Sequence, residues 1–186
     1  SVLKAAHNVK VSRVIFFASN AVYPENINVS IKEEDLLSGP IEKIVRPYAI
    51  AKISGIELCY NFNKQYGENF LALIPVNLYG PNDNFHSENS HVLPALIRKF
   101  YEAVENNDKS VKIWGSGEQR REFMCSIDLA RIACEIIRFD EDKFKSLCNS
   151  YPPIINIGVD SDISIKELAF LIANHTGYKG EVVFDI

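Results

Sequence analysis

No apolar run among the 186 residues approaches the roughly 18 that a membrane-spanning helix requires. The first ten residues, SVLKAAHNVK, have no charged head followed by an apolar signal core. The expectation is a soluble, unexported, cytoplasmic protein. Positive charge is not in excess either: 20 Lys and Arg stand against 24 Asp and Glu, a net charge of -4. Phosphate backbones and anionic lipid are therefore not broadly attracted, and neither nucleic acid nor membrane is an expected partner. Cysteine is scarce and scattered. Cys59, Cys125, Cys134 and Cys148 form no CxxC pair, which predicts reduced thiols rather than a disulfide frame. His7, His86, His91 and His175 form no HxxxH pair, so no metal site is expected. The nine glycines contain no cluster of the kind that lets a pyrophosphate approach backbone N–H groups at a helix start.

What is present suits one domain, or one and a half, with a real core: 47% of residues are hydrophobic and 24% charged. The opening residues read as the tail of an amphipathic helix with Val2, Leu3 and Ala6 on one side. VSRVIFFAS then predicts a strand buried on both faces, as in a parallel sheet. A polar stretch from Tyr23 to Pro47 leads to a helical pattern over Tyr48–Tyr66, closed by Gly67. FLALIPV is a second buried strand, and NLYGPND a turn. Leu93, Leu96, Ile97, Phe100 and Val104 follow helical spacing and leave Arg98, Lys99 and Glu102 for solvent. VKIW predicts a strand running into the turn GSG, and a helix is expected over about Ile127–Arg138. An acidic, Pro-containing loop comes next, then the short strand IINIG. Ser164 and Glu167 form an S-x-x-E capping box for a helix that Gly177 closes, and EVVF is the last strand. Helices alternating with buried strands are the order of a doubly wound α/β sheet.

Tyr48 and Lys52 stand four apart, so their side chains leave one helix face a turn apart. A free phenol has a pKa near 10, and a nearby ammonium favours the phenolate, which makes such a pair a proton donor suited to a carbonyl being reduced. The same spacing also describes an ordinary surface or core pair. Ser19 ends the strand VIFFAS, at the carboxyl edge where open α/β sheets collect ligands. Its hydroxyl can hold a substrate carbonyl or cap a turn. Read alone, His91 is a loop histidine and Trp114 a core residue.

Several ordered motifs extend this pattern. SNAVYP at 19–24, RPYAIAK at 46–52, PVNLYGPNDNF at 75–85, SHVLPALIRKF at 90–100, WGSG at 114–117 and RREF at 120–123 together resemble the extended short-chain dehydrogenase/reductases. These form the NAD-dependent epimerase/dehydratase family, and the GDP-L-fucose synthase branch is the most similar, almost from end to end. The resemblance implies a partial Rossmann-like, doubly wound parallel sheet with part of a smaller α/β substrate domain. Residues 1–80 would carry the Ser/Tyr/Lys site and 81–186 mainly the substrate domain, with about 121–160 returning to the sheet. By the same resemblance, Tyr48 gives a proton at C4, Lys52 tunes it and holds the nicotinamide ribose, and Ser19 partners the carbonyl. Pro75, Asn77 and Leu78 would line the nicotinamide pocket, and His91 would contact the cofactor and act as an acid in epimerisation. Arg121, with Lys99 and Trp114, would bind the nucleotide-sugar. The implied cofactor is NADPH, the partner substrate a GDP-4-keto-6-deoxy-hexose, and the assembly a homodimer through the Tyr48 helix.

Two departures from the pattern bear on activity. Where the family usually has a cysteine two residues past the serine, this chain has Ala21, and a methyl group neither gives nor takes a proton. Epimerisation at C3 and C5 needs an acid and a base, so the expectation is a C4 reductase with weak or absent epimerase activity. Judged against the family, the chain is also expected to begin after the glycine fingerprint and to stop before the last segment. A truncated or split product that needs another chain for cofactor binding is therefore an alternative. Another nucleotide-sugar epimerase or reductase of the same superfamily is a second. After IINIG the chain reads VDSD, where the family usually has a glycine after the second residue, and this has no functional translation.

Overall fold

A computed structural model describes residues 2–25, 30–86 and 89–185. In chain order the elements are α1 (Val2–Asn8), β1 (Val14–Phe17), α2 (Arg46–Tyr66), β2 (Phe70–Pro75), β3 (Asn77–Tyr79), α3 (Val92–Glu105), β4 (Ser110–Trp114) and β5 (Arg120–Arg121). There follow β6 (Phe123–Cys125), α4 (Ser126–Ile137), α5 (Glu141–Cys148), β7 (Ile154–Ile157), β8 (Ile163–Ser164), α6 (Ile165–Thr176) and β9 (Glu181–Asp185). They divide into two compact units, Ser1–Val76 with Ile127–Gly158, and Asn77–Ser126 with Val159–Ile186. No described helix is long and apolar enough to cross a membrane.

The first unit is built on a parallel sheet in the order β1-β2-β7, with Val14 opposite Phe70 and Ala72 opposite Ile154. Every residue of the central strand β2 is buried, as a near-continuous apolar run in a parallel sheet predicts. Because side chains alternate along a strand, Phe70, Ala72 and Ile74 share one face, where Ile53, Ile56 and Cys59 of α2 pack against them. Leu71 and Leu73 point to the other face and are fully buried. The expectation that β1 is buried on both faces needs correction. Among the described residues it is bonded on one side, to β2; its first three residues are half-buried and Phe17 is 43% exposed.

Helix α2 begins two residues before the expected start. Pro47 sits in its first turn, where its fixed φ fits and its missing N–H is no loss, and Gly67 ends it at φ 70°. Gly55 brings the helix close to β1: a Cβ there would lie 2.3 Å from the Phe16 ring. Two further expectations are corrected. Val2 is 82% exposed, leaving Leu3 as the buried residue of α1. The acidic segment read as a loop contains α5, started by the Asp140 carboxylate, which accepts from Lys143 N at 2.8 Å and so caps the helix. Residues 26–29, inside the expected polar stretch Tyr23–Pro47, lie outside the described residues, and Glu33–Asp35 farther along that stretch form a short 3-10 turn.

In the second unit β4 and β9 run parallel, with Val111 opposite Val182, while β3 pairs with β6 and β5 with β8. Its core joins Leu96 and Phe100 of α3, Val111 and Ile113 of β4, and Ala169 and Ile172 of α6. The capping box forms as expected: Ser164 Oγ accepts from Glu167 N at 3.0 Å, and Glu167 accepts from Ser164 N at 2.8 Å. Gly177 closes α6 at φ 77°.

Candidate active site

In the first unit, helical spacing places Tyr48 and Lys52 on adjacent turns at the start of α2. Lys52 Nζ donates to the carbonyl of Phe17 at 2.8 Å and lies 5.3 Å from the Phe16 ring centroid and 5.6 Å from that of Tyr48. Its ammonium therefore ties the first turns of the helix to the carboxyl end of β1. Among the described residues one of its three N–H donors is used, by Phe17, and two have no partner. The Tyr48 side chain is open to solvent, with 51% of the residue exposed.

Ser19 lies two residues beyond the carbonyl that Lys52 holds. It begins the 3-10 turn Asn20–Val22, and its Oγ accepts from Ala21 N at 3.3 Å while its carbonyl accepts from Val22 N at 3.1 Å. A hydroxyl that accepts through its oxygen keeps its own proton for another acceptor. Capping the turn and donating to a substrate carbonyl are thus compatible in one side chain. Ala21 stands in the same turn and brings only a methyl group. Pro75, buried at the end of β2, lies opposite Ile157.

The second unit holds a cavity of about 680 Å³ lined by Lys99, Trp114 and Arg121 together. Trp114 is not a core residue, since it is 84% exposed at the end of β4. Lys99 Nζ donates to the carbonyl of Lys112 at 2.7 Å and lies 5.6 Å from the indole centroid, holding the cation beside the ring. Arg121 spends one N–H on the carbonyl of Arg120, at 2.8 Å, and otherwise faces outward. Arg98 and Glu102, which the amphipathic pattern assigned to solvent, also line the cavity, as a pair 2.6 Å apart. Leu96, Ile113 and Ile165 supply its apolar wall. Cations beside an indole and an aliphatic wall suit a ligand with an anionic group and a flat ring. Sequence spacing could not reveal this set, because strand pairing and helix packing, rather than local periodicity, bring residues 98 to 165 together.

The other candidates of this unit do not line that cavity. His91 is the exposed N-cap of α3; its side chain makes no capping bond, while its carbonyl accepts from Ala95 N at 3.0 Å. Asn77 uses its amide to hold two strands in register, donating to the carbonyl of Glu122 at 3.0 Å, and Leu78 is half-buried opposite Met124. Among the described residues no group of three or more His, Cys, Asp and Glu could hold a metal ion. All four cysteines are free, and burial pushes the Cys59 and Cys148 thiols up to about 12, so both stay protonated and inert.

The chain is 43% identical to the GDP-L-fucose synthase of Escherichia coli over all of its own length and 58% of that protein's. Two solved structures from Campylobacter jejuni, each 38% identical with a TM-score of 0.88, are a GDP-D-glycero-L-gluco-heptose synthase and a GDP-mannoheptose C4 reductase. The chain covers 63% and 62% of those chains, and they cover 100% and 99% of it. It spans little more than half the length of the curated relatives it matches. Residues 1–158 match the sequence model of the NAD dependent epimerase/dehydratase family, and the chain belongs to that family.

Proposed function

We propose that the protein bearing this chain reduces the C4 ketone of a GDP-4-keto-6-deoxy-hexose, or a close GDP-linked relative, with NADPH, and does little epimerisation at C3 or C5. The observation that carries the reading is the Lys52 ammonium, which joins the Tyr48 turn of α2 to the strand end that leads into Ser19. In this arrangement the Ser19 hydroxyl donates to the ketone oxygen and orients it. Tyr48 passes its phenolic proton to that oxygen as negative charge builds there, and Lys52 stabilises the phenolate left behind. NADPH, when bound, supplies the hydride that C4 receives. The two free N–H donors of Lys52 suit the ribose hydroxyls of such a cofactor, and Pro75, Asn77, Leu78 and His91 belong to its nicotinamide end by family likeness. A glycine turn to cradle the pyrophosphate is not among these 186 residues.

Ser19, Tyr48 and Lys52 of the first unit thus carry the chemistry, and Lys99, Trp114 and Arg121 of the second take the GDP-sugar. Ala21 leaves the turn without a group to exchange a proton at C3 or C5, and likeness to a GDP-mannoheptose C4 reductase supports reduction as the retained step. Ile50 and Leu58, exposed apolar residues on α2, support a homodimer through that helix, and four free cysteines support a cytoplasmic setting. The test is turnover of NADPH with GDP-4-keto-6-deoxy-mannose in heavy water. The expected result is C4 reduction without deuterium at C3 or C5. Label at both carbons, at the rate of reduction, refutes the loss of epimerisation; no NADPH consumption with any GDP-linked 4-ketose refutes the reductase.

A further inference from the structure

The turn that carries Ser19 is held at both ends. At its start, Ala18 N donates to the carbonyl of Leu73 at 2.8 Å, fixing the strand end to β2. At its finish, the hydroxyl of Tyr23, a residue only 5% exposed, donates to Asn156 Oδ1 on β7. Between them, Val22 N donates to Ser19 O and Tyr23 N to Asn20 O, so the five residues form one hydrogen-bonded turn.

Asn156 is itself held by two further bonds. Its backbone N–H donates to Glu33 Oε1 at 2.9 Å, and its Nδ2 to the carbonyl of Ile31 at 3.3 Å. A flipped amide would set oxygen against the Ile31 carbonyl, so the side-chain oxygen stays turned to Tyr23. Burial pushes the Tyr23 phenol above its ordinary range, so it remains a protonated donor and does not compete with Tyr48 as the acid.

We propose that Tyr23 is a positioning residue for Ser19, its hydrogen bond to Asn156 holding the turn so that the Ser19 hydroxyl stays aimed at the substrate carbonyl. The inference rests on the reductase reading and adds to it a residue that touches neither substrate nor cofactor. Its reach is short: three residues of hydrogen-bonded turn separate the tyrosine from the serine.

The test compares Tyr23→Phe, Ser19→Ala and the double variant, with kcat and KM measured for NADPH-dependent reduction of the GDP-linked ketose. Tyr23→Phe keeps the buried ring and removes one hydroxyl; we expect kcat to fall roughly tenfold through misorientation, with KM within about twofold. In the Ser19→Ala background the same change is expected to cost nothing further, because its effect passes through Ser19. An undiminished kcat in Tyr23→Phe, or an equal loss in both backgrounds, overturns the inference. Asn156→Leu breaks the same bond from the other side and carries the comparison if Tyr23→Phe does not fold. Wild type that reduces no GDP-linked ketose overturns the reductase reading and this inference with it, whereas an active wild type with an unaffected Tyr23→Phe overturns only the inference.

Discussion

Replacing Tyr48 with Phe removes a single oxygen from the proposed site, and the structure separates its effect on rate from its effect on folding. With 51% of the residue exposed, the hydroxyl contributes little to the fold, and the loss of stability should stay within about 0.5 kcal/mol. Lys52 should not move: it is anchored to the Phe17 carbonyl at 2.8 Å, and the ring 5.6 Å from its ammonium is kept in Phe. Only the transferred proton is lost. General acid catalysis is worth about 10²- to 10⁴-fold, or roughly 3–5 kcal/mol of barrier, so kcat should fall by that factor. Single-turnover reduction followed at the NADPH absorbance, alongside thermal unfolding and cofactor titration by nicotinamide fluorescence, measures all three quantities. A Phe variant that keeps its kcat, or one whose rate and stability fall together, refutes the reasoning.

Three further outcomes are expected. Trp114 is the single tryptophan and lies exposed on the cavity wall, so GDP should change the intrinsic fluorescence saturably and Arg121→Ala should weaken that response; a flat titration contradicts the cavity assignment. Asn63, 7% exposed, donates to Phe70 O at 2.7 Å and Cys148 O at 2.9 Å and accepts from Phe70 N at 2.8 Å. Asn63→Leu leaves those groups buried without partners and should cost about 3–5 kcal/mol by urea unfolding; a loss under about 1 kcal/mol counts against it. The N–H of Ser164, then its side chain, hold the Glu167 carboxyl below its ordinary range. Its stabilisation is therefore full above the unfolded value of about 4.3 and fades as pH falls through the lower folded value, so Glu167→Gln should differ from wild type at neutral pH and converge with it in acid.

Local signals made some of this molecule legible before folding was considered. Tyr48 and Lys52 were visible because a four-residue spacing on a helix fixes their relation without any tertiary contact, and the end of α2 was marked by Gly67, while Pro47, assigned to the polar stretch, belongs to its first turn. The burial of β2 followed from FLALIP. The partial exposure of β1 did not, since VIFF has the composition of a central strand and only pairing reveals which strand has two neighbours among the described residues. Helix α5 escaped notice because it buries only Phe144 and Cys148 and its cap, Asp140, merges with the acidic residues around it. On α3, Arg98 and Glu102 have the pattern of a solvated face, and a wet cavity wall has the same pattern. Tyr23 and Asn156 are 133 positions apart, and nothing local to either announces the other.

The flush contact of Gly55 with the Phe16 ring has a mechanical consequence. Two turns downstream of Tyr48, the helix rests on its strand with only a hydrogen atom as spacer, so the separation of the two elements is a hard stop rather than a soft average. A methyl group inserted there would act as a wedge, prising the helix off the strand and lengthening the reach from Lys52 to Phe17. In the proposed site, the accuracy of proton delivery would thus be inherited from a packing contact that the reactants do not meet, and drift at this glycine would blunt turnover without altering any group proposed to perform the reaction.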